Sequence, residues 1–232
     1  MTVVYDNNPG QKKLIADWGF SCLIQGLEKT ILFDTGSQGK ILLENMDHLN
    51  INPTDIDIVL LSHFHRDHTG GLEALLDKCA FEVWIPESFP LNFREHIQKK
   101  GSEVILTTGR QKIIPRAFTT GIIEGWIKEQ SLVLESPQGL IIMTGCAHPR
   151  IINIIHIVEK QWDQNIYMAL GGFHLTGFSD NEIREIIFEF QNLGIKKAGP
   201  CHCSGLDARR LFHEIYEENY ISIAVGTTIL IP

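Results

Sequence analysis

An apolar run, Ile56 to Leu61, leads without a break into Ser62-His63-Phe64-His65-Arg66-Asp67-His68-Thr69-Gly70-Gly71, which sets three histidines and one aspartate within six residues. The run has the length and aliphatic content of a buried strand. Beyond the two glycines, Leu72, Leu75 and Leu76 have helical spacing, so the polar cluster falls in a tight strand-to-helix connection. A packed core does not explain four ligand-type side chains in one loop; a divalent ion does. In extended backbone His63 and His65 project to the same side and can hold one ion between them. The turn into the helix lets Asp67 and His68 face a neighbouring position.

Three further histidines sit where an apolar strand runs into a turn: His148 in Gly145-Cys146-Ala147-His148-Pro149, His174 in Gly171-Gly172-Phe173-His174-Leu175, and His202 in Pro200-Cys201-His202-Cys203-Ser204-Gly205. Each alone reads as a turn residue as readily as a ligand. Together they repeat one design, in which successive strands deliver ligands to a shared edge. The chain has five cysteines but no Cys-x-x-Cys pair, which argues against a zinc-finger type of structural site. An ion held by three protein ligands keeps a position open to water, whose pKa zinc lowers to about 7.

Along the 232 residues, short β-type runs at 2–5, 20–25 and 30–34 suggest antiparallel strands, the last two joined by a turn at 26–29. An amphipathic stretch carries Ile41, Leu42, Leu43 and Met46. Strands are expected at 81–85 and 104–107 with a helix at 89–100 between them, and the helix after the metal loop is expected to open at Gly70-Gly71. Residues 109–130 are the least readable and suit a lid or substrate-side loop. A hairpin follows, 131–135 and 140–144 around Ser136-Pro137-Gln138-Gly139. Ser179-Asp180-Asn181-Glu182 is a capping box for a helix with Ile183, Ile186, Ile187 and Phe190 on one face, ending before Gly194. Ala208, Leu211, Phe212 and Ile215 mark another. Without a repeat, linker or composition shift, residues 1–232 read as one α/β domain of two mixed β-sheets packed together with helices outside.

Twenty Lys and Arg against 28 Asp and Glu give a net charge of -8, which argues against a nucleic-acid partner. No apolar run reaches the roughly 18 residues of a membrane span; Ile151 to Val158, the densest, is interrupted by Asn153 and His156. The unpaired cysteines and the opening MTVVYDNN, without a signal pattern, point to a reducing, cytoplasmic protein.

The His63, His65, Asp67, His68 motif, with Phe33-Asp34-Thr35-Gly36 upstream, resembles the metallo-β-lactamase superfamily, whose mark is H-x-H-x-D-H after a strand. The segments Glu129 to Leu132, Gly145 to His148, Gly171 to Leu175 and Pro200 to Gly205 are similar to the subgroup of 7,8-dihydropterin-6-yl-methyl-4-(β-D-ribofuranosyl)aminobenzene 5'-phosphate synthases. The resemblance covers nearly the whole chain in order. It implies an αββα sandwich with one or two divalent ions at the common sheet edge, His63, His65 and His148 holding one and Asp67, His68 and His202 the second. Zinc is the favoured ion, with manganese and iron as alternatives. Superfamily hydrolases carry a bridging aspartate in a Gly-Asp turn where this sequence has Gly172-Phe173-His174. His174 takes that neighbourhood and is counted among the metal residues. An imidazole nitrogen has one lone pair and does not bridge two ions, so either water alone joins them or one site is weak or empty.

Asp34 is expected to orient a ligand rather than be one. Cys146 and Cys203 are expected to pack as small apolar groups, with metal ligation as the alternative. Arg66 is a solvated loop residue or a contact for an anionic substrate. His48, His96, His156 and His213 have surface or core roles. The expected function is a metal-dependent enzyme acting on a phosphate-bearing or otherwise anionic small molecule, by resemblance pterin-methyl transfer from a diphosphate to a ribofuranosylaminobenzene phosphate. In that reading Asp67 is catalytic, orienting water or taking a proton. The alternatives are metal-hydroxide hydrolysis of an ester, thioester or phosphodiester, and a non-enzymatic metal-binding protein. The sequence leaves oligomeric state open.

Overall fold

A computed structural model describes residues 1–231. β1 (Thr2–Asp6), β2 (Phe20–Ile24) and β3 (Ile31–Phe33) form an antiparallel start. α1 (Gly39–His48) crosses to β4 (Ile58–Leu60), parallel to β3. The chain continues through α2 (Arg66–Thr69), α3 (Leu72–Leu76), β5 (Glu82–Pro86), α4 (Leu91–Lys99) and β6 (Glu103–Thr107), with β4, β5 and β6 parallel neighbours. The second sheet repeats this plan. β7 (Gln111–Ile114), β8 (Ala117–Thr119), β9 (Leu132–Ser136) and β10 (Gly139–Thr144) make an antiparallel meander. After α5 (Ile151–Gln161), β11 (Ile166–Gly172) adds in parallel to β10. After α6 (Asp180–Asn192), β12 (Lys197–Cys201) adds in parallel to β11, and α7 (Leu206–Tyr216) follows. Among the described residues the sheets run β1 to β6 and β12 to β7, six strands each.

The alternation of side chains along the strands explains the layering. In β10, Ile141 and Met143 point between the sheets, where they meet Phe33, Ile58 and Leu60 in one core cluster. Leu140 and Ile142 point outward to Ile154, Ile155, Ile187 and Phe212 of α5, α6 and α7. A strand buried on both faces must be apolar throughout, which is why Gly139–Thr144 reads GLIIMT rather than as an alternating pattern. In β4, Ile58 and Leu60 face inward, while Val59 packs outward with Leu42, Leu75 and Ile97 of the first sheet's helices. Each such fully buried side chain contributes about 1.5–3 kcal/mol. The result is the four-layered αββα sandwich.

The capping box forms as read: Ser179 Oγ accepts from the Glu182 N–H, and Glu182 Oε2 accepts from the Ser179 N–H at 2.8 Å. Three readings shift. The helix placed at Gly70-Gly71 is two short ones, and the first begins at Arg66, because the N–H groups of His68 and Thr69 turn back to the His65 carbonyl at 3.1 and 3.0 Å. Half of the metal motif is therefore a first helical turn. Within 109–130, residues 111–119 form the edge hairpin β7–β8, and only the stretch beyond it is a site-side loop. Ile151 to Val158, read only as an apolar run, lies within helix α5. No helix among the described residues is long and apolar enough to cross a membrane.

Candidate metal centre

The parallel strands β3, β4, β10, β11 and β12 end on one edge of the sandwich, and their carboxyl ends lead into Asp34, Ser62 to His68, Cys146 to His148, His174 and His202. Asp34, Ala147, His174 and His202 all have left-handed backbone, with φ of 56°, 59°, 53° and 47°. For residues with a Cβ such a conformation costs about 1 kcal/mol or more each. Four of them at one edge show a site held in shape against local preference.

Three imidazoles converge first. His63 Nε2 lies 3.0 Å from His65 Nδ1 and 3.2 Å from His148 Nε2. Ligands bound to one zinc at about 2.0–2.1 Å in tetrahedral geometry are roughly 3.3 Å apart, so these nitrogens already have the spacing of a shared ion. Burial, together with the charge of neighbouring histidines, pushes the His63 imidazole well down, and takes His148 to about 3. Both are neutral near pH 7, the form that ligates metal.

The second group is Asp67, His68 and His202. Asp67 Oδ2 is 3.5 Å from His68 Nε2 and 3.3 Å from His202 Nε2. Burial works to raise the Asp67 carboxyl, but the imidazoles of His202 and His68 beside it hold it far below the usual carboxylate range. Trp18 Nε1 donates to the same oxygen at 2.9 Å.

The surrounding residues fix which nitrogen faces the site. Asp34 is fully buried; its Oδ1 accepts from the Ser62 N–H, and its Oδ2 from Ser62 Oγ and His68 Nδ1, all at 2.7 Å. With its proton given to Asp34, Ser62 Oγ accepts from His63 Nδ1 at 2.9 Å. Asn7 Oδ1 takes the His202 Nδ1 proton at 2.9 Å, leaving His202 Nε2 buried without a hydrogen-bond partner. His63, His68 and His202 thus turn Nε2 inward. A buried atom left unpaired in this way calls for a ligand, and the donor set fits a divalent ion.

Glu129 received no role from the sequence beyond membership of a family-like segment. It is fully buried and accepts from the N–H groups of Cys146, Ala147 and His148, each at 2.9 Å, which fixes the loop that presents His148. The available signal was an acidic residue three positions ahead of the apolar run of β9, a place a carboxylate occupies in the interior only with dedicated partners. Trp18 and Asn7 had no comparable signal. Gly145 has its own reason: a Cβ there would press on Ser62 Oγ and come within 2.9 Å of Asp34 Oδ2.

His174 falls outside both groups. Its ring is 4.6 Å from that of His148, but its donor nitrogen groups with the sulfurs of Cys146 and Cys203. A pocket of about 230 Å³ opens beside it, lined by Trp126, His148, Arg150, Phe178 and Ile186 among others. The exposed Trp126 ring stands 4.6 Å from His148. Arg66 is exposed at the start of α2. His48, His96, His156 and His213 lie on α1, α4, α5 and α7, away from this edge.

Two mixed sheets between helix layers, with histidines and aspartate delivered to a common edge, define a class of metal-site proteins. The chain belongs to the metallo-β-lactamase superfamily, whose sequence model matches residues 19–162. It is 31% identical to the 7,8-dihydropterin-6-methyl-4-(beta-D-ribofuranosyl)-aminobenzene-5'-phosphate synthase of Methanocaldococcus jannaschii, over 91% of this chain and 89% of the synthase. A second protein of that organism, MJ0448, is 28% identical over 99% of both chains. The crystal structure of Tm1679, a metal-dependent hydrolase of the beta-lactamase superfamily, superposes with a TM-score of 0.83 at 26% identity, covering 100% of this chain and 98% of its own.

Proposed function

We propose that this protein is a metal-dependent enzyme acting on a phosphate-bearing small molecule, and that its reaction is transfer of a dihydropterin-methyl group from its diphosphate to a ribofuranosylaminobenzene phosphate. The observation that carries the metal dependence is the convergence of His63, His65 and His148 at 3.0–3.2 Å beside the Asp67, His68 and His202 group. In this reading the first three hold one divalent ion and the second three another, zinc being favoured by the nitrogen-rich donors, with manganese and iron as alternatives. Such ions supply Lewis acidity to the negative charge that develops on a departing diphosphate. The choice of substrate rests on similarity to the synthase over most of both chains.

The chain's own groups suit that substrate. Trp126 and Phe178 line the pocket with aromatic surface suited to flat rings, and Arg150, its guanidinium carbon 5.7 Å over the Phe178 ring, offers a planar cation to a phosphate. Asp67 was given two roles by the sequence, orienting water or taking a proton. Its Oδ2 lies 3.5 and 3.3 Å from His68 Nε2 and His202 Nε2 and accepts from Trp18 Nε1, which favours the first role and a place among the ligands.

The test is to strip the protein with a chelator, return zinc, manganese or iron separately, and assay both synthase substrates. Product should vanish and return with metal; full turnover without metal refutes the proposal. The similarity to Tm1679 favours a second reading, hydrolysis of an ester, thioester or phosphodiester at the same centre. Turnover of a panel of such esters, with the synthase substrates untouched, would select it.

A further inference from the structure

The resemblance implies a bridging carboxylate at the turn Gly172-Phe173-His174, and neither side chain there joins the two donor sets. Phe173 is turned away into the helix-side core, 5.6 and 5.7 Å from Phe190 and Phe212. His174 groups only with Cys146 and Cys203. Cys146, however, lies between the two donor sets. Its Sγ is 3.2 Å from His68 Nε2. It falls within 4.8 Å of the donor atoms of His63 and His148 on one side, and of Asp67, His68 and His202 on the other. Among the described residues it is the one side chain that both groups share.

We infer that Cys146 is the shared ligand of the two-ion centre, its thiolate standing in for the missing carboxylate. The inference rests on the metal centre proposed above and adds the residue that joins its halves. A thiolate sulfur has lone pairs for two ions, where an imidazole nitrogen has one. Two ions about 3.5–4 Å apart can each sit about 2.3 Å from one sulfur, since twice that bond length exceeds their separation. Sulfur also suits zinc. The thiol proton leaves to solvent as the ions bind. Placement is secured by the backbone, because the Cys146 N–H is one of the three held by Glu129. The Cys146 sulfur is set against the inward-facing His68 Nε2 at 3.2 Å, within reach of both donor sets. Cys203 Sγ, which donates to the Cys146 carbonyl at 3.5 Å, falls in neither donor set.

The test uses the full chain loaded with cobalt(II) or zinc(II). The cobalt protein should bind two ions and show a near-ultraviolet sulfur-to-cobalt charge-transfer band. Cys146→Ala should lose the band and bind its second ion at least tenfold more weakly, whereas Cys203→Ala should keep both. Cys146→Asp should hold two ions without the band. X-ray absorption of the zinc protein should show one sulfur shared by two ions at about 2.3 Å, and decides the matter by itself if a variant fails to fold. Two ions with only nitrogen and oxygen neighbours, or a band that survives in Cys146→Ala or disappears in Cys203→Ala, overturns the inference while the centre stands. Failure of the wild-type chain to bind either metal overturns the centre and the inference together.

Discussion

Asp34→Asn keeps the size and shape of the side chain and changes one atom at the root of the second metal group. Asp34 Oδ1 holds the Ser62 N–H, and Oδ2 holds both Ser62 Oγ and His68 Nδ1. In asparagine the oxygen stays with the Ser62 amide, and the new NH2 faces the other two contacts. The Ser62 hydroxyl can rotate and become an acceptor. His68 Nδ1 can accept only if its proton moves to Nε2, and an imidazole carrying a proton on Nε2 cannot bind a metal there. Loss of such an orienting partner weakens metal affinity by about 10–100-fold, which is about 1.4–2.8 kcal/mol. The metal-free fold loses about 2 kcal/mol as well, since bonds to a buried carboxylate become neutral ones. Zinc titration by calorimetry against a competing chelator separates the two ions. The second should weaken by one to two orders of magnitude, while the ion at His63, His65 and His148 changes by less than threefold. Equal weakening of both, or a second-ion affinity within threefold of wild type, refutes the tautomer argument.

Glu129→Gln replaces one of two accepting oxygens with a donor facing a buried N–H. Burial raises the Glu129 carboxyl against the pull of its three N–H partners, which offsets part of the loss. The expected cost is therefore about 2 kcal/mol in urea unfolding, with weaker zinc binding, and an unchanged midpoint would count against this role. Gly172→Ala puts a Cβ 2.7 Å from Cys203 Sγ and 3.2 Å from Cys146 Cα. A loss of about 1–3 kcal/mol is expected, together with a weakened second ion, both measurable by unfolding and metal titration. In the metal-free protein burial works to lower the His68 imidazole, but Asp34 and Asp67 overcome it and hold it up at about 10. Its contribution to stability is therefore present in full below the ordinary histidine value near 6.5 and is lost as pH rises toward 10. Unfolding midpoints of chelated protein should fall between pH 7 and 10, and a flat profile would contradict the ion pairing.

The candidate site's edge was legible because its main signals are local. His63 to His68 crowd one connection, and His148, His174 and His202 each follow an apolar strand, so both the residues and their place in the fold could be read. The hairpins and the α6 capping box were legible for the same reason. Partners that depend on chain crossing were not: Asn7 reaches His202 and Trp18 reaches Asp67 only once β1, β2 and β12 are assembled. Cys146 was read first as an apolar filler, with metal ligation as the alternative, because its place between the two donor sets is a property of three strand ends together. The hairpin β7–β8 was hidden by its weak alternation at a sheet edge, where little apolar surface has to be buried.

The central claim is that two groups on this edge hold two divalent ions. Zinc-edge anomalous diffraction from crystals grown with zinc tests it most directly. Two peaks about 3.5–4 Å apart are expected, one among His63, His65 and His148 and one among Asp67, His68 and His202. A map at saturating zinc with no peak at this edge, or with its peaks elsewhere on the chain, would contradict the account.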